Sequence, residues 1–378
     1  MSEISDMIQR LCPDGVEYRK LGEVVKIMNG KDYKSHQEGN IPVYGTGGIL
    51  TYIDTAFDDG PTVLLPRKGS IDKVYYVDSP FWTVDTIYWT KFSRDSLVCP
   101  KFLYYFMTTI NLSKMNTGTG AIPSLTQTVL SRIEIPVPPL EVQRKIVEVL
   151  DNFSELAAEL EAELEARKKQ YEYYRDNLLN FSQIAPPNSV KWMKLGEIGE
   201  VRMCKRVMKH QTNTESGIPF YKIGTFGKTA DSYISQELYN ELRGMYSYPK
   251  CGDILISASG TIGRTVVYDG EDAYYQDSNI VWIDNDESIA LNSYLKIVYQ
   301  VIDWRVEGGT IKRLYNDIIK NTVIPIPPLS EQERIVSILD RFESLTTDLT
   351  AGLPAEIKAR QQQYEYYRDQ LLTFKRAN

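Results

Sequence analysis

Ile135–Leu156 reads IPVPPLEVQRKIVEVLDNFSEL and Ile324–Leu345 reads IPIPPLSEQERIVSILDRFESL; 12 of the 22 positions are identical. Further on, Gln170–Phe181 (QYEYYRDNLLNF) returns as Gln363–Phe374 (QYEYYRDQLLTF), with 10 of 12 identical. Both copies carry a helical period. In the first, Ile146, Leu150, Phe153, Ala157, Leu160, Leu164, Arg167, Tyr171, Tyr174, Leu178 and Phe181 alternate steps of four and three, the seam of a coiled coil. About forty residues at about 1.5 Å each make a rod of about 60 Å. The second copy follows Ile335, Leu339, Phe342, Thr346, Leu349 and Leu353, steps through Ile357, and resumes at Arg360, Tyr364, Tyr367, Leu371 and Phe374. The added step is a stutter; Gly352 and Pro354 at the same place are equally compatible with a kink or break. Ser330 and Glu333 have the spacing of a capping box. A helix this amphipathic buries its seam on a partner. The second copy is the obvious one, and the globular sequence between them favours an antiparallel pair. Arg167 and Arg360 interrupt the apolar seam, where they either set register or snorkel past it.

What surrounds the helices matches much less well. The chain divides into globular segments 1–140 and 186–329, each followed by a helical segment, 141–185 and 330–378. The globular segments begin alike, VEYRKLGEV at Val16 and VKWMKLGEI at Val190, and end alike, GAIPSL at Gly120 and GTIKRL at Gly309. Between these, the likeness thins to GSI at Gly69 against GTI at Gly260 and TIYW at Thr86 against NIVW at Asn279. Runs such as IPVYGTGGILTYI and DILISASGTIGRTVVY read as short strands broken by glycine and proline turns. The pattern predicts two α/β (α+β) globular domains with mixed, largely antiparallel sheets. Two long helices forming an intramolecular antiparallel coiled coil would join them with pseudo-two-fold symmetry.

Composition narrows the function. A chain of 378 residues, 42% hydrophobic, has room for two or three cores. No run is long and apolar enough to span a bilayer, and the start, with Ser2, Glu3 and Asp6, lacks the form of a secretory signal, so a cytoplasmic protein without membrane contact is expected. Cys12, Cys99, Cys204 and Cys251 stand far apart and read as isolated thiols. With only His36 and His210, metal binding and histidine catalysis have little to draw on. The net charge of −7 argues against a DNA-coating protein. Its distribution changes that reading: residues 141–185 hold 6 Lys+Arg against 10 Asp+Glu, whereas 1–140 hold 14 against 15 and 186–329 hold 16 against 17. The globular segments are near neutral and can carry local basic faces.

The paired Pro138-Pro139-Leu140 and Pro327-Pro328-Leu329, the Glu331-Gln332 that follows the second, and the two YEYYRD helix ends resemble the specificity subunit of type I restriction-modification systems, over nearly the whole chain. The first copy departs from the pattern in having Val142 where the second has Glu331. The resemblance implies that 1–140 and 186–329 are target recognition domains, each reading one half of a bipartite, asymmetric site on double-stranded DNA. It implies conserved helical spacers that set the gap and dock two modification subunits, which bind S-adenosylmethionine and methylate adenine at N6, with restriction subunits joining the full complex. No catalytic role and no cofactor are expected of this chain itself. Pro186-Pro187 is preceded by Ala185 and followed by Asn188, unlike the Asn/Asp-Pro-Pro-Tyr/Phe of amine methyltransferases. Gly227-Lys228-Thr229 has Lys222 where a phosphate-binding loop needs glycine. The tandem Ala158-Glu-Leu-Glu and Ala162-Glu-Leu-Glu fit either a ruler or a solubilising surface. Charge alone favours a different reading, a non-catalytic coiled-coil adaptor with two ligand-binding domains; DNA binding by the chain with its modification subunits separates the two.

Residues expected at DNA lie in basic, glycine-rich or hydroxyl-rich loops. In the first domain these are Tyr44, Thr46, Gly47 and Gly48, then Arg67, Lys68, Ser70 and Lys73. In the second they are Arg202, Lys205, Arg206, Lys209 and His210, then Ser257, Ser259, Thr261 and Arg264, and finally Lys312 and Arg313. Cationic side chains grip phosphate or a guanine edge, while small hydroxyls and bare glycine backbone allow close approach. Equally, the glycines only turn the chain and the lysines only solvate it.

Overall fold

The computed structural model describes residues 2–116, 118, 121–181, 189–306, 312–347 and 351–377. Gly120, Gly309, the Pro186-Pro187 linker and the seam position Leu349 lie outside them. Two compact units form: Met1–Ala162 with Glu356–Asn378, and Glu163–Ala355. Each therefore contains a globular domain, the start of the long helix that follows it, and the end of the other long helix.

In the first unit the strands are β1 (Tyr18–Lys20), β2 (Lys26–Asn29), β3 (Glu38–Gly45), β4 (Gly48–Ile53), β5 (Thr62–Pro66), β6 (Tyr75–Val77), β7 (Trp82–Thr83), β8 (Ile87–Lys91) and β9 (Glu134–Pro136). They form sheets of order β1-β9, β2-β8-β5-β6 and β4-β3-β7. The second unit has β10 (Lys191–Lys194), β11 (Gly199–Arg202), β12 (Ile218–Tyr221), β13 (Tyr233–Ile234), β14 (Ile254–Ser257), β15 (Thr265–Val267), β16 (Tyr274–Tyr275), β17 (Ile280–Asn285) and β18 (Val323–Ile326). Its orders, β10-β18, β11-β17-β14-β15 and β13-β12-β16, repeat the first unit strand for strand. Pairing is antiparallel except for β3 with β7 and β12 with β16. The mixed, largely antiparallel sheets read from the sequence are present, twice.

The central strands are buried on both faces, which is why they read as unbroken apolar runs rather than alternating ones. Along β5, Val63 and Leu65 join one core cluster and Leu64 the opposite one. Along β14, Ile254 and Ile256 face one cluster and Leu255 the other. One cluster in each unit is closed by a helix after the sheet, Pro100–Thr109 or Asn292–Val301, and by the long-helix ends.

The first long helix is continuous from Leu140 to Leu178, 39 residues. The second is helical over Leu329–Thr347 and Leu353–Leu371, with Ala351 and Gly352 non-helical between them, so an interruption rather than a plain stutter absorbs the extra residues. Within each unit the start of one long helix meets the end of the other. Phe153 stacks on Tyr367 with ring centroids 5.3 Å apart, and Tyr174 stacks on Phe342 at 5.2 Å. These are the same two seam positions with the copies exchanged. One expectation changes. The second helix begins at Leu329, so Ser330 lies inside its first turn and does not cap it. The seam arginines act along their own helices, Arg167 bonding Glu163 and Gln170 and Arg360 bonding Glu356 and Gln363. Their charge is satisfied locally.

Candidate nucleic-acid interface

Three segments distant in sequence meet in each globular domain. In the first, Lys68 forms an isolated β-bridge with Ser124, Leu125 N–H donates to the Arg67 carbonyl at 2.8 Å, and the amides of Arg67 and Lys68 donate to the Thr86 carbonyl at 3.0 and 3.1 Å. In the second, Ser259 bridges Arg313, Leu314 N–H donates to the Ala258 carbonyl at 2.9 Å, and Ala258 N–H donates to the Asn279 carbonyl at 2.7 Å. The faint sequence likenesses at GSI/GTI, TIYW/NIVW and the segments before the helices are therefore one structural constellation, seen twice. Gly69 (φ +91°) and Gly260 (φ +66°) occupy the same corner, in a conformation that glycine adopts at low cost.

The candidate side chains on this corner differ in freedom. Arg67 donates through Nη1 to the Asp85 carbonyl at 2.9 Å and lies over the Tyr88 ring at 5.6 Å. Arg313 donates through Nη2 to the Ser278 carbonyl and hydroxyl at 2.8 and 2.7 Å. Asp85 and Ser278 each precede the matched Thr86 and Asn279, so two arginines from different segments hold the same turn. Ser278 sits at φ 52°, unusual without glycine. Arg264 donates to the Phe226 carbonyl at 3.0 Å, and the Ser259 hydroxyl to Asn279 Oδ1 at 2.9 Å. Ser257 is no exposed hydroxyl: it is buried, receives Arg264 N–H at 2.9 Å, and donates to the Thr261 carbonyl. Lys68, Ser70, Lys73, Thr261 and Lys312 are exposed.

In the first domain β3 and β4 form a hairpin whose tip is Thr46-Gly47. Thr46 Oγ1 donates to the Lys68 carbonyl at 2.8 Å, and the Tyr75 hydroxyl to the Thr46 carbonyl at 3.0 Å. Burial raises the Tyr44 and Tyr75 hydroxyls above their ordinary range. Gly47 has open space where a side chain would point, and Gly48 (φ +117°) allows the two-residue turn. The structure thus brings Tyr44, Thr46, Gly47 and Gly48 together with Arg67 and Lys68.

A family model for the type I restriction modification DNA specificity domain matches residues 13–167 and again 187–359. The chain belongs to this family of specificity subunits. It is 48% identical over 376 residues to a Haemophilus influenzae protein described as a type I restriction enzyme specificity subunit, covering 95% of this chain and 96% of that one. It is 31% identical over 412 residues to the EcoR124I/EcoR124II specificity subunit of Escherichia coli, covering 99% and 98%. In fold it is similar to the S subunit of a type I restriction-modification system from M. genitalium, with a TM-score of 0.59, 15% identity, and 95% and 96% of the two chains covered. A second structure, of a type I system studied for complex assembly, has a TM-score of 0.62 at 19% identity, covering 95% and 97%.

In this specificity subunit the Arg202–His210 cluster is a strand end and a following loop. Arg202 pairs with Glu200 at 2.6 Å, which lowers its value as a free cation. Lys205 lies over the Tyr246 ring at 4.7 Å, and its carbonyl accepts from the Tyr274 hydroxyl at 3.1 Å. Lys205, Arg206, Lys209 and His210 are exposed. Cys204 beside them is an inert thiol, pushed up to about 12 by burial.

Sequence reasoning did not assign Gln143 and Gln332. Both are fully buried. Gln143 accepts from Cys99 N–H at 2.7 Å and donates to the carbonyls of Leu97 and Pro138 at 2.8 and 2.7 Å. Gln332 accepts from Leu291 N–H and donates to Ile289 and Pro327, all at 2.9 Å. Each glutamine ties a long helix to its own recognition domain; its identity in both copies was the available signal. Among the described residues no helix is long and apolar enough to cross a membrane.

Proposed function

We infer that this chain is the sequence-reading subunit of a type I restriction-modification complex, with each globular domain, 1–140 and 186–329, reading one half of a split, asymmetric DNA site. The observation that carries this is the repeated constellation: one backbone corner, presented twice, with different side chains at a matched position (Lys68 against Ser259). A constant frame with exchanged side chains is what two different half-sites require. The duplicated helices then space the domains and dock two modification subunits. S-adenosylmethionine belongs on those subunits, and the assembled complex methylates adenine and, with restriction subunits, cuts unmodified DNA in the cytoplasm. The uncharged hairpin segment Ile41–Ile53 and the exposed lysines fit nucleic acid better than the ligands of an adaptor.

Mapping N6-methyladenine in DNA from cells carrying the chain and its modification partner tests this. The expected result is a split motif with one methylated adenine in each half. Exchanging Val190–Pro328 for the matching segment of a relative is expected to change one half only. A change in both halves, or no DNA binding by the assembled subunits, refutes the modular reading.

A further inference from the structure

The two domains do not present the same chemistry beside their shared corner. In the first, the hairpin from Ile41 to Ile53 carries no charged residue. On it Ile49, Leu50 and Tyr52 are 48%, 54% and 48% exposed. β4 is an edge strand of its sheet. The counterpart strands β12 and β13 expose no apolar side chain, and their connection holds the Lys222–Asp231 ion pair at 2.9 Å. Among the described residues the apolar ribbon belongs to one domain alone.

Its surroundings say what covers it. The tip is fixed to the Lys68 carbonyl through Thr46 and to Tyr75, so the ribbon is held rather than free. The loop to which it is tied carries exposed Lys68 and Lys73, with Asp72 as its single acid. A two-stranded ribbon fits the major groove of B-DNA, where flanking lysines meet phosphates. The apolar group on the floor of that groove is the C5-methyl of thymine. We propose that β3–β4 is the base-reading element of the first recognition domain, and that Ile49 and Leu50 read thymine methyl groups in its half-site. This rests on the DNA-reading function above and adds which element reads and what it reads.

The test uses the chain assembled with its modification subunits and a duplex bearing the mapped site. Thymine is replaced by uracil, which removes only the methyl, in one half at a time. The half belonging to the first domain is the one left unchanged by exchange of Val190–Pro328. Each methyl lost there is expected to weaken binding about fourfold, from the value of one buried methyl group, with no change in the other half. Ile49→Ala and Leu50→Ala are expected to bind thymine and uracil duplexes alike. Both side chains face solvent, so unchanged unfolding midpoints confirm that the variants fold. Equal binding of thymine and uracil duplexes by the unaltered complex overturns the proposal, as does a first half-site containing thymine only opposite its methylated adenine. Variants that lose self-association but keep uracil discrimination also overturn it and assign the ribbon to contact between copies. Failure of the unaltered complex to prefer the mapped duplex over a shuffled one strikes instead at the DNA-reading function.

Discussion

Gln143 and Gln332 show how much a single buried side chain contributes to a recognition frame. Each satisfies one amide and two carbonyls that have lost their water, among them the carbonyl of the first of the two prolines before its helix, Pro138 or Pro327. An apolar replacement of similar size leaves those groups buried and unpaired. The penalty is about 1–3 kcal/mol for each such group, reduced where water can reach it. Gln143→Leu is therefore expected to lower stability by about 3 kcal/mol, read from the denaturant midpoint, and Gln332→Leu by a similar amount. A loss within about 0.5 kcal/mol would show that the glutamines only fill space. By contrast Arg67 and Arg313, which look like DNA contacts in the sequence, spend hydrogen bonds on holding a turn.

At the scale of elements, the first long helix differs from the second where another element covers it. The N-terminal helix Ser2–Leu11 pairs Glu3 with Lys145 at 3.7 Å and buries Ile4 in the cluster that also contains Val142 and Ile146. Val142 is fully buried, whereas its counterpart Glu331 is only half-buried and pairs with Arg334 at 2.7 Å. This departure from the repeated motif thus has a packing cause. Val142→Glu places an unpaired carboxylate under that helix and is expected to destabilise by more than about 3 kcal/mol, while Glu331→Val stays within about 1 kcal/mol; thermal unfolding of the two variants checks this. Equal effects would mean that the N-terminal helix does not protect this face. The long helices were legible in the sequence because a seam repeats over many turns and each residue reinforces the same period. The seam positions Phe153, Tyr174, Phe342 and Tyr367 were correctly placed for that reason. The repeated corner was only glimpsed, as GSI/GTI and TIYW/NIVW, because backbone hydrogen bonds hold it and leave few constraints on side chains. The exposed Ile49 and Leu50 gave no signal at all: a register shift between Val43 and Tyr44 breaks the in–out alternation of β4, and accessibility is a property of the fold.

For the molecule as a whole, the consequence lies in the first long helix, which runs unbroken through the tandem Ala158-Glu-Leu-Glu and Ala162-Glu-Leu-Glu. The second long helix is interrupted at Ala351 and Gly352, so the uninterrupted one is the better candidate for a ruler. Deleting Ala162–Glu165 from a continuous helix shortens it by about 6 Å and turns everything after it by about 40°. At about 3.4 Å per base pair, the gap between the two half-sites is expected to contract by one or two base pairs, with both halves keeping their sequence. Mapping N6-methyladenine in cells that express the deleted chain with its modification partner reads gap and halves together. A shorter gap with intact halves assigns the ruler to this helix. An unchanged gap makes the alanine- and glutamate-rich repeat a solvated surface. Altered half-sites would mean that the turn of about 40° had reached the recognition corners and that spacing and reading are not separable in this fold.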